Sequence, residues 1–213
     1  MMKKTGFTLA EVLITLSIIG VVAMMTLPAL MTNVQEQQAK TGLKKGLNTL
    51  IEAAQLNLAV ESFDYGTLAN TGTGENDASI TGLLLQRTQY DPAKSYYGGT
   101  QTDAANAVDT ANYVMFFRDG SAVAYAPGTQ DPGTIQDDGL PYGFTVIYDT
   151  NGEKSPNVLS NCKGTSTPNR DDDSTDISDC TKAKRVIKDQ FTIQLRGTFA
   201  QPWGAAARWA FEH

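Results

Sequence analysis

A run of 24 residues without a formal charge, Val12 to Gln35, sets the terms for this chain. As a helix rising about 1.5 Å per residue it would extend about 36 Å, more than the roughly 30 Å hydrocarbon core of a bilayer. Lys3 and Lys4 precede it, which keeps the leader on the cytoplasmic side and sends the rest of the chain outward. One acid, Glu11, stands at the start of the run. An acid in a spanning segment is costly unless it is paired, so Glu11 reads as functional. The chain offers it no visible partner. Cutting the peptide bond after Gly6 would create one, because Phe7 would then carry an ammonium. The Glu11 of one copy would pair with the new terminus of its neighbour. In a medium that solvates charge poorly, that pair would reward lateral assembly and set axial register.

Three plainer readings compete. A cleaved signal peptide would use Val21-Val22-Ala23 as its small-residue site, but the apolar run continues to Leu30, which suits a retained anchor better. A simple one-pass anchor gives no reason for Glu11 or for Gly6-Phe7 after two lysines. The core helix of a globular protein is disfavoured by the length of the run and its lack of charge.

The stretch Gly6-Phe7-Thr8-Leu9-Ala10-Glu11 resembles the signature of type IV prepilins and pseudopilins. The resemblance implies that a membrane-bound prepilin peptidase cuts after Gly6 and that Phe7 is then N-methylated. It implies that Glu11, the fifth residue after the cut, is the assembly glutamate. It places Pro28 where such proteins carry a helix-bending proline, and the segment between Gly20 and Pro28 where the resembled filaments can melt on assembly. The partners implied are the peptidase, the inner membrane before assembly, and other pilin or pseudopilin subunits in a periplasmic or extracellular filament.

On this reading residues 1–6 are a removed leader, 7–30 a transmembrane and assembly helix, and 31–62 its amphipathic continuation. Residues 63–213 form an exported head. The continuation is seen in Leu43, Leu47, Leu50, Ile51, Ala54 and Leu58, which recur at steps of three and four. Lys45, Asn48, Glu52 and Gln55 fill the opposite side. Pro28 cannot donate to the carbonyl of Met24 and should bend the helix, while Gly20 weakens it by up to about 1 kcal/mol relative to Ala. Gly42 and Gly46 weaken the stripe for no visible reason except close packing.

In the head, residues 63–112 are poorly patterned, with a loop at Thr71-Gly72-Thr73-Gly74 and a short helical turn over Ile80 to Leu85. Tyr113 to Arg118 and Ser121 to Tyr125 read as a hairpin about a two-residue Asp119-Gly120 turn. Gly143 to Asp149 is a strand with Phe144, Val146 and Tyr148 on one face and Ile147 on the other. Gln190 to Arg196 is another, with Phe191, Ile193 and Leu195 alternating. Strands in succession after one long helix predict an α+β head, an antiparallel sheet laid on a helix.

Cys162 and Cys180 are the two cysteines, both in the exported part, where an oxidising compartment most simply joins them. The loop-entropy argument values such a bridge at about 3 kcal/mol. Asp149-Thr150-Asn151-Gly152-Glu153 places oxygen ligands at alternate positions, Asp149, Asn151 and Glu153, like the start of a calcium loop. No acid follows at the twelfth place, Ser160, and Asn-Gly is a strong turn former, so a tight turn is the preferred reading and no cofactor is required. Asp171, Asp172, Asp173 and Asp176 crowd the loop between the cysteines as a solvated surface or a cation site. Trp203 and Trp209 near the end read as a core cap rather than an adhesive patch.

The net charge of −6 would become −8 on loss of Lys3 and Lys4, which argues against general nucleic-acid binding without excluding a small local basic patch. An enzyme is not expected. No Gly-x-Ser-x-Gly occurs, and the one histidine is His213, the last residue. The leading expectation is a structural filament subunit. The alternative is a scarce tip subunit whose head is a binding module for a surface, DNA or a secreted protein.

Overall fold

The computed structural model describes residues 8–68, 78–97, 113–125, 143–163 and 177–213. The first element is helix α1, Leu9–Glu61. Chain contacts divide the molecule into two compact units, Met1–Gln38 and Ala39–His213. In the second unit α2 spans Ile80–Arg87, β1 Tyr96–Tyr97, β2 Tyr113–Phe116, β3 Ala122–Tyr125 and β4 Phe144–Asp149. β5 spans Gln190–Arg196, β6 Phe199–Pro202 and α3 Ala205–Glu212. The six described strands form one sheet in chain order, every neighbouring pair antiparallel. Long helix and antiparallel sheet together make the α+β, pilin-like arrangement that the sequence predicts.

Period-two patterning determines what the sheet buries. On one face Val123, Val146, Tyr148, Phe191, Ile193 and Leu195 join Leu43, Leu47, Leu50 and Ala54 of α1 and Leu83 and Leu84 of α2. On the other face Ile147 packs with Val114, Phe116, Ala122, Ala124 and Leu159. Pro202 sits on β6, the edge strand, where a missing N–H costs no ladder bond.

Gly42 and Gly46 now have a reason. A Cβ on Gly46 would lie 2.1 Å from Cζ of Tyr148, and one on Gly42 would lie 2.7 Å from Cβ of Thr150. The helix rests on β4 through these two positions, and only hydrogen fits there.

Several expectations are corrected. The stripe of α1 does not include Leu58, which is 41 % exposed, while Ala53 and Asn57 are buried instead. Continuing from Leu50 and Ala54 by helical steps reaches residue 57, not 58. Asn57 is satisfied there, its Nδ2 donating to the Phe63 carbonyl at 2.9 Å and its Oδ1 accepting from Nε of Arg87 at 3.0 Å. The hairpin turn is three residues long, not two. Phe116 faces Ala122, the Phe117 N–H donates to the Ser121 carbonyl at 2.8 Å, and Gly120 takes a positive φ of 92°. That is a tight turn closed by a left-handed residue, which favours glycine. Asp119 on the turn accepts from Ser121 and pairs with Lys45 of α1 at 2.8 Å. Burial opposes ionisation there, but the bonds from Lys45 and Ser121 hold its carboxyl below the usual range. The short turn expected at Ile80 is a full helix to Arg87, started by Ser79, whose hydroxyl accepts from the Gly82 N–H at 3.0 Å. The loop at Thr71–Gly74 lies outside the described residues.

Candidate assembly site at the start of the first helix

Thr8 precedes the first helical residue and caps the helix. Its backbone N–H and its hydroxyl both donate to Oε2 of Glu11 at 2.8 Å, and the Glu11 N–H donates to Thr8 Oγ1 at 3.3 Å. Thr8-x-x-Glu11 is therefore a reciprocal capping box, which satisfies backbone donors that helix geometry orphans. The acid also lies at the positive end of the helix dipole. Thr8 is a capping residue that the sequence pattern could have revealed, because a threonine three residues before a glutamate is a known start signal.

Beyond Glu11 the polar side chains satisfy themselves. The hydroxyl of Thr15 donates to the Val12 carbonyl at 2.9 Å, Ser17 to Leu13 at 2.8 Å and Thr26 to Val22 at 3.0 Å. None of these hydroxyls therefore needs a partner from outside. The helix continues through Pro28, and a Cβ on Gly20 would meet nothing within 4 Å. Of the twenty large hydrophobic side chains exposed among the described residues, fifteen lie between Leu9 and Val34. An 18-residue window of the helix has a mean hydropathy of 2.3, apolar enough to cross a membrane. Such a surface needs lipid or neighbouring helices around it. Gly6 and Phe7 lie outside the described residues.

The other candidates fall elsewhere. Asp149 Oδ1 accepts from the N–H groups of Asn151 and Gly152 at 2.9 and 2.7 Å, and Oδ2 from Nε2 of Gln190 at 2.8 Å. Glu153 turns away to Lys94, 2.7 Å distant. The structure thus uses Asp149 to close a turn and does not gather Asp149, Asn151 and Glu153 as a ligand set. Among the described residues no three His, Cys, Asp or Glu side chains group as a metal site. Burial pushes the Asp149 carboxyl up to about 7, against the hydrogen bond from Gln190, and the nearby charge of Asp189 adds to the rise. Cys162 and Cys180 are joined, with Cα atoms 4.7 Å apart, and pack against Ala205 and Ala206 of α3. Trp209 is half-buried against this cluster, whereas Trp203 is half-buried at the end of β6. Asp171, Asp172, Asp173 and Asp176 lie outside the described residues.

The family described as the prokaryotic N-terminal methylation motif matches residues 1–27. No curated protein and no solved structure matches the chain. The matched segment contains Gly6, Phe7, the Thr8–Glu11 cap and most of the apolar run, the parts that suit membrane anchoring. The first 27 residues therefore carry a prepilin-like N-terminal methylation motif of the type IV pilin and pseudopilin kind.

Proposed function

We propose that this chain is a structural subunit of a type IV pilus-like filament or a type II secretion pseudopilus. Prepilin peptidase cuts after Gly6, Phe7 becomes the N-methylated terminus, and the subunit waits in the inner membrane with its head exported. Assembly then packs the first helices together.

The observation that carries this reading is the placement of Glu11. It is the one charge at the head of an otherwise self-satisfied apolar helix, and it follows a Gly-Phe junction. In the free subunit Thr8 occupies its carboxylate. In the filament the ammonium of a neighbour's Phe7 would compete for it, exchanging a local cap for a contact between copies. The fifteen exposed apolar side chains supply the area that such packing would cover.

Glu11→Ala tests the reading. Membrane insertion should be unchanged or improved, because a costly charge is removed. Filament yield should fall, because the neighbour's ammonium is left unpaired in a dry bundle at a cost of several kcal/mol, about 3 or more. The measurement is sheared filament against membrane-held subunit, with the mature N-terminus checked in each variant. Normal yield with the variant subunit incorporated rejects the pairing role. Scarcity of the wild-type subunit in filaments would assign it to a tip instead.

A further inference from the structure

Asn151-Gly152 is the one Asn-Gly pair in the chain. Such a pair is chemically weak. When the glycine nitrogen loses its proton, it can attack the side-chain carbonyl carbon of the asparagine before it. A C–N bond forms, ammonia leaves, and a five-membered succinimide remains. Water then opens that ring at either carbonyl, giving aspartate or isoaspartate. No oxidant, reductant or further reagent is consumed. Glycine makes the attack easy, because it has no side chain to shield its nitrogen.

The head immobilises that nitrogen. The Gly152 N–H donates to Oδ1 of Asp149 at 2.7 Å, and Gly152 is buried. Removing the proton would set one anion against another, so the Asp149 carboxylate opposes it. The Gly152 carbonyl accepts from the Asn157 amide at 3.0 Å, that amide being oriented with its nitrogen toward the carbonyls of Gly152 and Lys154. Both ends of the turn are pinned to Asp189. Its carbonyl accepts from the Thr150 N–H at 2.9 Å. Its carboxylate accepts from the N–H groups of Asn157 and Val158 at 2.8 and 3.0 Å. Replacing the glycine offers no escape. Gly152 takes a φ of 65°, and a Cβ there would lie 2.5 Å from the Gly120 carbonyl oxygen. The fold keeps the vulnerable pair and holds it still.

The same surroundings make the products incompatible with the fold. Oδ1 of Asn151 is buried and meets no donor among the described residues. A carboxylate in its place would join Asp149 and Asp189, two buried acids whose charges already oppose each other. Isoaspartate does more. It adds a methylene carbon to the main chain, which shifts the Gly152 N–H away from Asp149.

We infer that Asn151 is a deamidation site that Asp149 keeps silent while the turn is closed, and that conversion in an opened head marks that opening irreversibly. This goes beyond the filament reading and does not depend on it.

Site-resolved peptide mapping of full-length protein, held in detergent at mildly alkaline pH, tests the inference. In guanidinium chloride Asn151 should convert to aspartate and isoaspartate well ahead of the other asparagines. In native buffer it should remain asparagine over the same period. Asp149→Ala removes the acceptor and should speed conversion in native buffer by about tenfold or more, the factor that one hydrogen bond to a charged group supplies. Asp149→Asn keeps an oxygen for the Gly152 N–H without the charge, so its rate should fall between the two. Leu83→Ala weakens the core from α2, outside the turn, and should leave Asn151 silent. After dilution from guanidinium, refolded heads should be depleted of isoaspartate at position 151. Equal conversion of the wild type with and without denaturant overturns the protection. Wild-type rates in both Asp149 variants, or a Leu83→Ala rate equal to that of Asp149→Ala, overturn the role of Asp149. An equal share of isoaspartate in refolded and unfolded fractions overturns the irreversible mark.

Discussion

Leu13 and Leu43 stand on the same helix, yet Leu13 is 56 % exposed and Leu43 is fully buried. The difference separates two ways of stabilising a helix. Around Leu43 the chain provides its own cover: a stripe of leucines, two glycines that let β4 approach, and a sheet that closes over them. Around Leu13 the described residues leave the apolar surface exposed. The chain removes every need for hydrogen bonding instead, turning its hydroxyls onto its own carbonyls and its one acid onto its own cap. The region around Leu43 is complete as it folds. The region around Leu13 leaves its apolar surface to be covered by something else.

Truncations should break this contrast most plainly. Leu43→Ala removes a fully buried side chain and should destabilise the head by about 2–5 kcal/mol. Leu13→Ala should leave head stability within about 0.5 kcal/mol and act only on assembly. Chemical unfolding of full-length protein in detergent, followed by tryptophan fluorescence, measures both. Equal losses would show that the two regions share one core.

Glycines make a smaller version of the same comparison. Gly46→Ala drives a methyl into the Tyr148 ring and should cost about 1–3 kcal/mol, reduced by the better helix propensity of alanine. Gly20→Ala meets open space and should be neutral or stabilising by up to about 1 kcal/mol. A stabilising Gly46→Ala would mean that α1 does not rest on β4.

Asp149 sharpens the picture of the head. Its carboxyl is raised to about 7 in the fold, above its ordinary value near 4. The folded state therefore holds a proton that the unfolded chain has released. Stability from this group is full below about pH 4 and is lost as pH rises toward 7, by at most about 1.4 kcal/mol per pH unit. Asp149→Asn keeps an oxygen for the Asn151 and Gly152 N–H groups, and Gln190 can present its otherwise unpartnered Oε1 to the new amide. The unfolding profile between pH 4 and 7 should flatten in this variant. An unchanged slope would place the titration elsewhere.

The sequence was readable wherever the signal is local. The N-terminal methylation motif, the uncharged run and strands β2 to β5 all follow from short-range pattern, because such signals need no knowledge of the partner. Where the outcome depends on distant contacts, reading failed. Leu58 and Asn57 differ by one step of helical phase, and only the presence of Arg87 explains why an asparagine takes the buried place. Gly42 and Gly46 look like weak points until Thr150 and Tyr148 are seen against them. The edge strands β1 and β6 are too short to show a period. Thr8 was legible as a cap but was overshadowed by the glutamate that it holds.

The most direct test is the mature N-terminus of the protein extracted from membranes of cells that have the peptidase, read by intact mass and terminal fragmentation. The account predicts a chain that begins at Phe7, bearing an N-methyl group, with Gly6 and everything before it gone. A chain retaining Lys3 and Lys4, or one that begins at Met24, would contradict it.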